Sequence, residues 1–180
     1  ASAAGVAMTL DPNTGDRTKI VIDSSFGLGE TVVSGLVTPD HFVVEKVLME
    51  VLDRKVSEKH TEMVADVDAG HAVEREIVGE RRTASSLSDA QVLAVAGLAK
   101  SLEKQKKCPQ DVEWAFDAHL PEGENLFALQ SRPETIWSRR KKSDKPKDSA
   151  HTKGMLGMVS SMRKKVVGVS GPGSEPKTSK

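Results

Sequence analysis

Apolar and polar residues alternate along several stretches of this chain, which is the pattern of half-buried strands. The runs GVAMTL and TKIVIDS flank DPNTGDR, whose Pro, Asn and Gly favour a turn, so residues 5 to 24 are predicted to form a hairpin. The apolar run HFVVEKVLMEVL predicts further strand. Between these segments, SSFGLGETVVSG is predicted to be a tight turn that leads into a short helix, because its glycines permit unusual backbone angles.

The stretch LSDAQVLAVAGLAKSLEKQKK predicts the clearest helix. Ser88 is the expected N-cap, and Gln91 three residues later completes a capping box. Apolar residues then recur with helical periodicity, so one face is expected to meet the core: Val92, Val95, Ala96, Ala99 and Leu102. Residues 53 to 86 are polar and charged, and their pattern predicts no definite element.

The stretch DVEWAFDAHLPEGENLFALQSRPE predicts a second hairpin. Because strand side chains alternate between faces, the bulky residues are expected to share the core face: Val112, Trp114, Phe116, Phe127 and Leu129. In one register the opposite face then pairs Asp111 with Arg132, Glu113 with Gln130, and Ala115 with Ala128.

Carboxylate and amide oxygens suit Mg²⁺, and a planar guanidinium suits phosphate oxygens. The predicted polar face, with Asp111, Glu113, Gln130 and Arg132, therefore indicates a metal-nucleotide site. The alternative is a solvated sheet face with a cross-strand ion pair, which would stabilise the fold by at most about 1 kcal/mol.

Charge divides the chain into two parts. Residues 1 to 137 hold 23 Asp and Glu against 14 Lys and Arg, whereas residues 138 to 180 hold 12 Lys and Arg against 3 Asp and Glu. The second part is rich in Gly, Ser and Pro, so we expect a basic flexible tail or linker after the folded domain. Such a tail could bind an acidic partner, but a plain solvated linker is the better interpretation, and nucleic-acid binding is not expected.

Cysteine content and hydropathy bear on the class of protein. Cys108 has no second cysteine to pair with, and the five histidines lack the spacing of a zinc site. No apolar stretch reaches the roughly 18 residues of a membrane span. We therefore expect a cytoplasmic protein without a membrane partner.

Four segments carry a resemblance to a known family. GVAMTLDPNTGDR, SSFGLGETVVSGLVTPDHFVV, LAKSLEKQKKCPQDVEWAFD and LFALQSRPET together resemble, in order, the later half of the ATP-binding domain of phosphoenolpyruvate synthase and pyruvate phosphate dikinase. The resemblance implies an α+β fold: the C-terminal subdomain of an ATP-grasp domain, mostly antiparallel sheet with flanking helices. It would occupy residues 1 to 137.

The resemblance also implies roles for particular residues. Glu113 and Gln130 would ligate Mg²⁺, Arg132 would hold phosphate during catalysis, and Asp111 would support the metal site. Glu30, in the glycine-rich segment, would be an accessory residue near the phosphates. ATP and Mg²⁺ are the implied cofactors.

In such enzymes the β-phosphoryl group of ATP passes to a histidine on a mobile domain, with release of AMP and phosphate. The first ATP-grasp half and the phosphohistidine domain are not recognisable in this chain, so both are expected as partners in the same precursor or in another subunit. By itself the chain is expected to hold an incomplete site.

Three alternatives remain open at this point. Rifampin phosphotransferase and the ATP-binding subunit of phenylphosphate synthase have similar domains, so the acceptor could be pyruvate, phenol or an antibiotic. A non-catalytic docking module is the third possibility.

Overall fold

A computed structural model of the chain describes residues 1–35, 37–66 and 70–137. The predicted basic tail, residues 138 to 180, lies outside these. The elements in chain order are β1 (Ala3–Met8), β2 (Lys19–Phe26), α1 (Glu30–Val33), β3 (Asp40–Glu45), β4 (Glu50–Lys55), β5 (Thr61–Asp66), β6 (His71–Glu76), a 3₁₀ helix (Gly79–Arg82), α2 (Asp89–Lys106), β7 (Gln110–Phe116) and β8 (Leu126–Pro133).

The strands form two antiparallel sheets. The larger sheet has six strands in the order β4-β3-β2-β1-β7-β8, and β5 pairs with β6 in a separate two-stranded sheet. This arrangement confirms the prediction of an α+β fold dominated by antiparallel sheet. The first predicted hairpin is also confirmed, as β1 and β2 with Val6 opposite Asp23.

The main core lies between the six-stranded sheet and α2. Ser88 and Gln91 form the predicted capping box, and the predicted apolar helix face is buried or partly buried against the sheet. Trp114 and Phe116 of β7 meet edge to face in this core, with ring centroids 5.7 Å apart. The face of the six-stranded sheet that points away from α2 is named the distal face below.

The second predicted hairpin, β7 and β8, is present, but its register is only partly as expected. Glu113 lies opposite Gln130, whereas the next residue, Trp114, lies opposite Ala128, so Leu129 is the extra residue of a β-bulge. From Ala128 back to Leu126, each β8 side chain therefore lies on the face opposite to the predicted one. The predicted pairing of Ala115 with Ala128 is therefore wrong, because Ala115 lies opposite Phe127.

Because of the same bulge, the predicted core is partly wrong. Trp114 and Phe116 are buried as expected, but Phe127 is 45% exposed and Leu129 is 64% exposed. Because Phe127 lies opposite Ala115, it belongs to the distal face. Leu126 takes the core-facing place opposite Phe116 and packs against the α2 side.

Candidate nucleotide site

The four polar residues predicted in the β7–β8 hairpin lie together on the distal face. Asp111 is directly opposite Arg132, and Glu113 is directly opposite Gln130. Directly opposed residues in antiparallel strands project to the same side. They alternate with the buried Val112 and Trp114, so the sequence correctly predicted both the pairs and their face.

Arg132 is available to a ligand. Its Nε lies 3.8 Å from Asp111 Oδ2, longer than a hydrogen bond, and its side chain is 60% exposed. A solvated pair of this kind stabilises the fold by at most about 1 kcal/mol, so the contact does not commit the guanidinium to Asp111. Its planar set of donors can turn to a phosphate group.

The Asp111 carboxyl has a raised pKa. Burial raises its pKa above the ordinary value of 3.8, while Arg132 lowers it and Glu134 raises it further. The effect of desolvation on this pKa therefore outweighs the attraction of Arg132, and a nearby cation would stabilise the ionised carboxylate.

The glycine-rich turn carries Glu30 to the same place. Gly27 has φ of +76° directly after β2, and α1 begins three residues later at Glu30. Glu30 and Glu113 both line one cavity of about 310 Å³, together with Gly29 and Leu129. The predicted accessory residue thus lines the same cavity as a predicted metal ligand, although the two are 83 positions apart in the chain. Asp111, Gln130 and Arg132 lie beside this cavity and do not contribute to its described lining.

An apolar surface adjoins the charged group. Leu129 also borders a second cavity of about 310 Å³, whose lining includes Ala115 and Phe127. The bulge therefore turns two large apolar residues towards the site face. Sequence patterning could not find this surface because the same alternation places them in the core.

One further pair on the distal face was missed at the level of sequence. Along the sheet, Gln130, Glu113, Val6, Asp23 and His41 lie opposite one another in a single row. His41 Nδ1 is 2.7 Å from Asp23 Oδ1, within hydrogen-bonding distance. The histidine spacing gave no indication of this pair, because its partners come from separate strands.

The donor set fits Mg²⁺ bound together with a nucleotide. Among the described residues, no three His, Cys, Asp or Glu side chains form a group that could hold a metal by themselves. Mg²⁺ is commonly held by one or two carboxylates with waters and substrate phosphates. Glu113, Gln130 and Glu30 provide oxygens of that kind on a face that is open to a ligand.

Comparison with known proteins shows the family of this chain. Residues 1–153 match the family described as "Pyruvate phosphate dikinase, AMP/ATP-binding domain". The chain belongs to this family. The resemblance found in the sequence is therefore confirmed, and the family description supports nucleotide binding by this domain.

The curated relatives of this chain carry a consistent name. The chain is 39% identical over 168 residues to "Phosphoenolpyruvate synthase" of Aeropyrum pernix, a match that covers 81% of the chain and 20% of the relative. It is 37% identical over 170 residues to "Probable phosphoenolpyruvate synthase" of Staphylothermus marinus, covering 84% and 20%. The chain thus spans about one fifth of the length of these relatives. Among the described residues of the chain, no helix is both long enough and apolar enough to span a membrane.

Proposed function

We propose that this chain holds Mg²⁺ and ATP on the distal face, as part of a phosphoenolpyruvate synthase-like dikinase. The observation that carries the proposal is the convergence of Glu30 and Glu113 on one cavity, beside the Glu113–Gln130 and Asp111–Arg132 pairs. A fully solvated sheet face does not require the glycine-rich turn to reach this position.

The residues divide into binding roles. Glu113 and Gln130 ligate Mg²⁺ through their oxygens, Asp111 supports that site, and Arg132 holds phosphate oxygens through its planar guanidinium. When bound, Mg²⁺ neutralises charge on the phosphate oxygens. Glu30 is an accessory residue near the phosphates, in the lining of the same cavity. The exposed Phe127 and Leu129 offer a flat apolar surface for the nucleobase.

The proposed reaction transfers the β-phosphoryl group of ATP to a histidine on a mobile domain and releases AMP and phosphate. Arg132 stabilises charge that develops on the transferred group. The chain spans about one fifth of its relatives. We therefore propose that the remaining nucleotide contacts and the phosphorylated histidine belong to other parts of the protein or to another subunit.

Calorimetric titration of the chain with ATP, with and without Mg²⁺, tests the binding role. We expect Mg²⁺-dependent binding that weakens at least about tenfold in Glu113→Ala, Gln130→Ala and Arg132→Lys, the last because an ammonium does not reproduce the guanidinium fork. The matched control is Glu124→Ala, an exposed glutamate in the β7–β8 connection. Binding without Mg²⁺ dependence, or Glu113→Ala indistinguishable from Glu124→Ala, would refute the assignment.

A further inference from the structure

Two cations contact the aromatic ring that precedes the glycine-rich turn. Phe26 is the last residue of β2, and the guanidinium carbon of Arg81 lies 4.3 Å from its ring centroid. The Lys59 ammonium lies 5.4 Å from the same centroid. Both distances suit cation-π attraction. The start of the turn is therefore held by one residue just before β5 and one just after β6.

The turn itself is held by β5. The Leu28 N–H donates to the Met63 carbonyl at 2.7 Å, and Gly27 forms a bridge with Met63. A Cβ on Gly27 would lie 2.2 Å from the Met63 carbonyl oxygen, so the two backbones are in direct contact. The Met63 carbonyl therefore holds the turn together with the Ser2 carbonyl, which accepts from the Gly27 N–H at 3.1 Å.

Glu62, the residue before Met63, orients the Arg81 side chain. Glu62 is buried, and its two carboxylate oxygens accept bonds of 2.6 and 2.7 Å from the two terminal nitrogens of Arg81. Arg75 donates bonds of 3.1 and 2.8 Å, from its Nε and Nη2, to one oxygen of the same carboxylate. The bidentate contact fixes the plane of the Arg81 guanidinium over Phe26. Adjacent residues of β5 thus hold both sides of Gly27, one through Arg81 and the other directly.

We infer that Arg81 is a positioning residue for Glu30, which lies four residues after Phe26 and lines the cavity that Glu113 also lines. This inference rests on the proposed function of that cavity. Arg81 does not itself contribute to the described cavity lining, so its effect on the nucleotide passes through the turn. Arg75 shares the carboxylate but has no described contact with the Phe26 ring, which makes it the matched control.

A double-mutant cycle on the full chain separates positioning from a general structural role. Mg·ATP affinity is measured by calorimetry for the unmodified chain, Arg81→Lys, Arg75→Lys, Glu30→Gln and Arg81→Lys combined with Glu30→Gln. Lysine keeps the charge but loses the bidentate, stacked geometry. We expect Arg81→Lys to weaken binding about tenfold, the scale of outer contacts that orient ligands, and Arg75→Lys to change it less than about twofold.

The combined variant gives the deciding comparison. If Arg81 acts through Glu30, Arg81→Lys has no further effect in the Glu30→Gln background. An equal loss in both backgrounds, or an equal loss in Arg75→Lys, overturns the inference while leaving the nucleotide site intact. Absence of Mg·ATP binding by the unmodified chain overturns the proposed function itself and this inference with it.

Discussion

At the scale of single residues, Trp114 shows how packing and polarity oppose each other in this core. The residue is fully buried, and its indole Nε1 has no hydrogen-bond partner among the described residues. An unpaired buried donor destabilises a fold by about 1–3 kcal/mol, whereas burial of the large ring stabilises it. The ring lies on the core face, directly after Glu113 on the distal face.

Two substitutions separate these contributions. Trp114→Ala should lower the free energy of unfolding by about 3–5 kcal/mol, because it leaves a large cavity. Trp114→Phe should lower it by less than about 1.5 kcal/mol, because it removes the unpaired donor while keeping an aromatic ring. Urea unfolding of the variants measures both values, and equal losses would contradict this division.

Gly27 occupies a position in the turn that strongly favours glycine. It combines φ of +76° with direct contact to the Met63 carbonyl. Gly79 has φ of +64° and no described neighbour within 4 Å of an added Cβ, so it isolates backbone strain from the clash. Gly79→Ala should destabilise by about 1–2 kcal/mol and Gly27→Ala by clearly more. Urea unfolding that gives the same loss for both would show that the contact with Met63 is unimportant.

At the scale of elements, the small β5–β6 sheet supports the site without belonging to it. Glu62 of β5 has a lowered pKa, mainly because of the bonds from Arg81, with burial opposing and Arg75 adding to the effect. Folding therefore favours the ionised carboxylate. This contribution to stability is complete above the ordinary value of 4.5 and is lost as the pH falls through the lowered pKa.

Substitution of Glu62 should remove this pH dependence. At about pH 7, Glu62→Gln should be about 2 kcal/mol less stable than the unmodified chain, because charge-assisted bonds are lost. The difference should shrink in urea unfolding at about pH 3.5, below the ordinary value of 4.5, because the carboxylate is then largely protonated in the unfolded chain. The exposed Glu58→Gln is the control. A difference that stays constant between the two pH values would exclude the ionised pair as the cause.

The elements also show which features could be predicted from sequence. Helix α2 was predicted with its cap and buried face because both are local properties of the chain. Strands β5 and β6 were missed, because their small sheet buries few apolar side chains and leaves little alternation. The bulge at Leu129 was missed for a different reason: alternation within one strand does not specify where its partner inserts an extra residue. The polar pairs Asp111–Arg132 and Glu113–Gln130 were predicted correctly, whereas Phe127 and Leu129 were wrongly predicted to face the core.

At the scale of the whole molecule, the site depends on contacts between distant parts of the described chain. Glu30 meets the Glu113 cavity because β1 lies between β2 and β7 in the sheet. The buried Lys59 donates to Asp40 Oδ1 at 2.6 Å, which connects the segment before β5 with β3. This organisation makes the grouping of polar residues on the distal face a product of contacts between distant segments, although the sequence alone proposed each of those residues as a candidate.

The central claim is that the distal face binds a metal-nucleotide complex, and Mn·ATP tests it most directly. Mn²⁺ accepts the same oxygen ligands as Mg²⁺ and broadens the NMR signals of nearby nuclei. We predict the strongest broadening for the amide resonances of Glu30, Glu113 and Gln130, with clearly weaker broadening of those of α2 on the opposite face of the sheet. Broadening centred on α2 or on the β5–β6 sheet, or no selective broadening, would contradict the account.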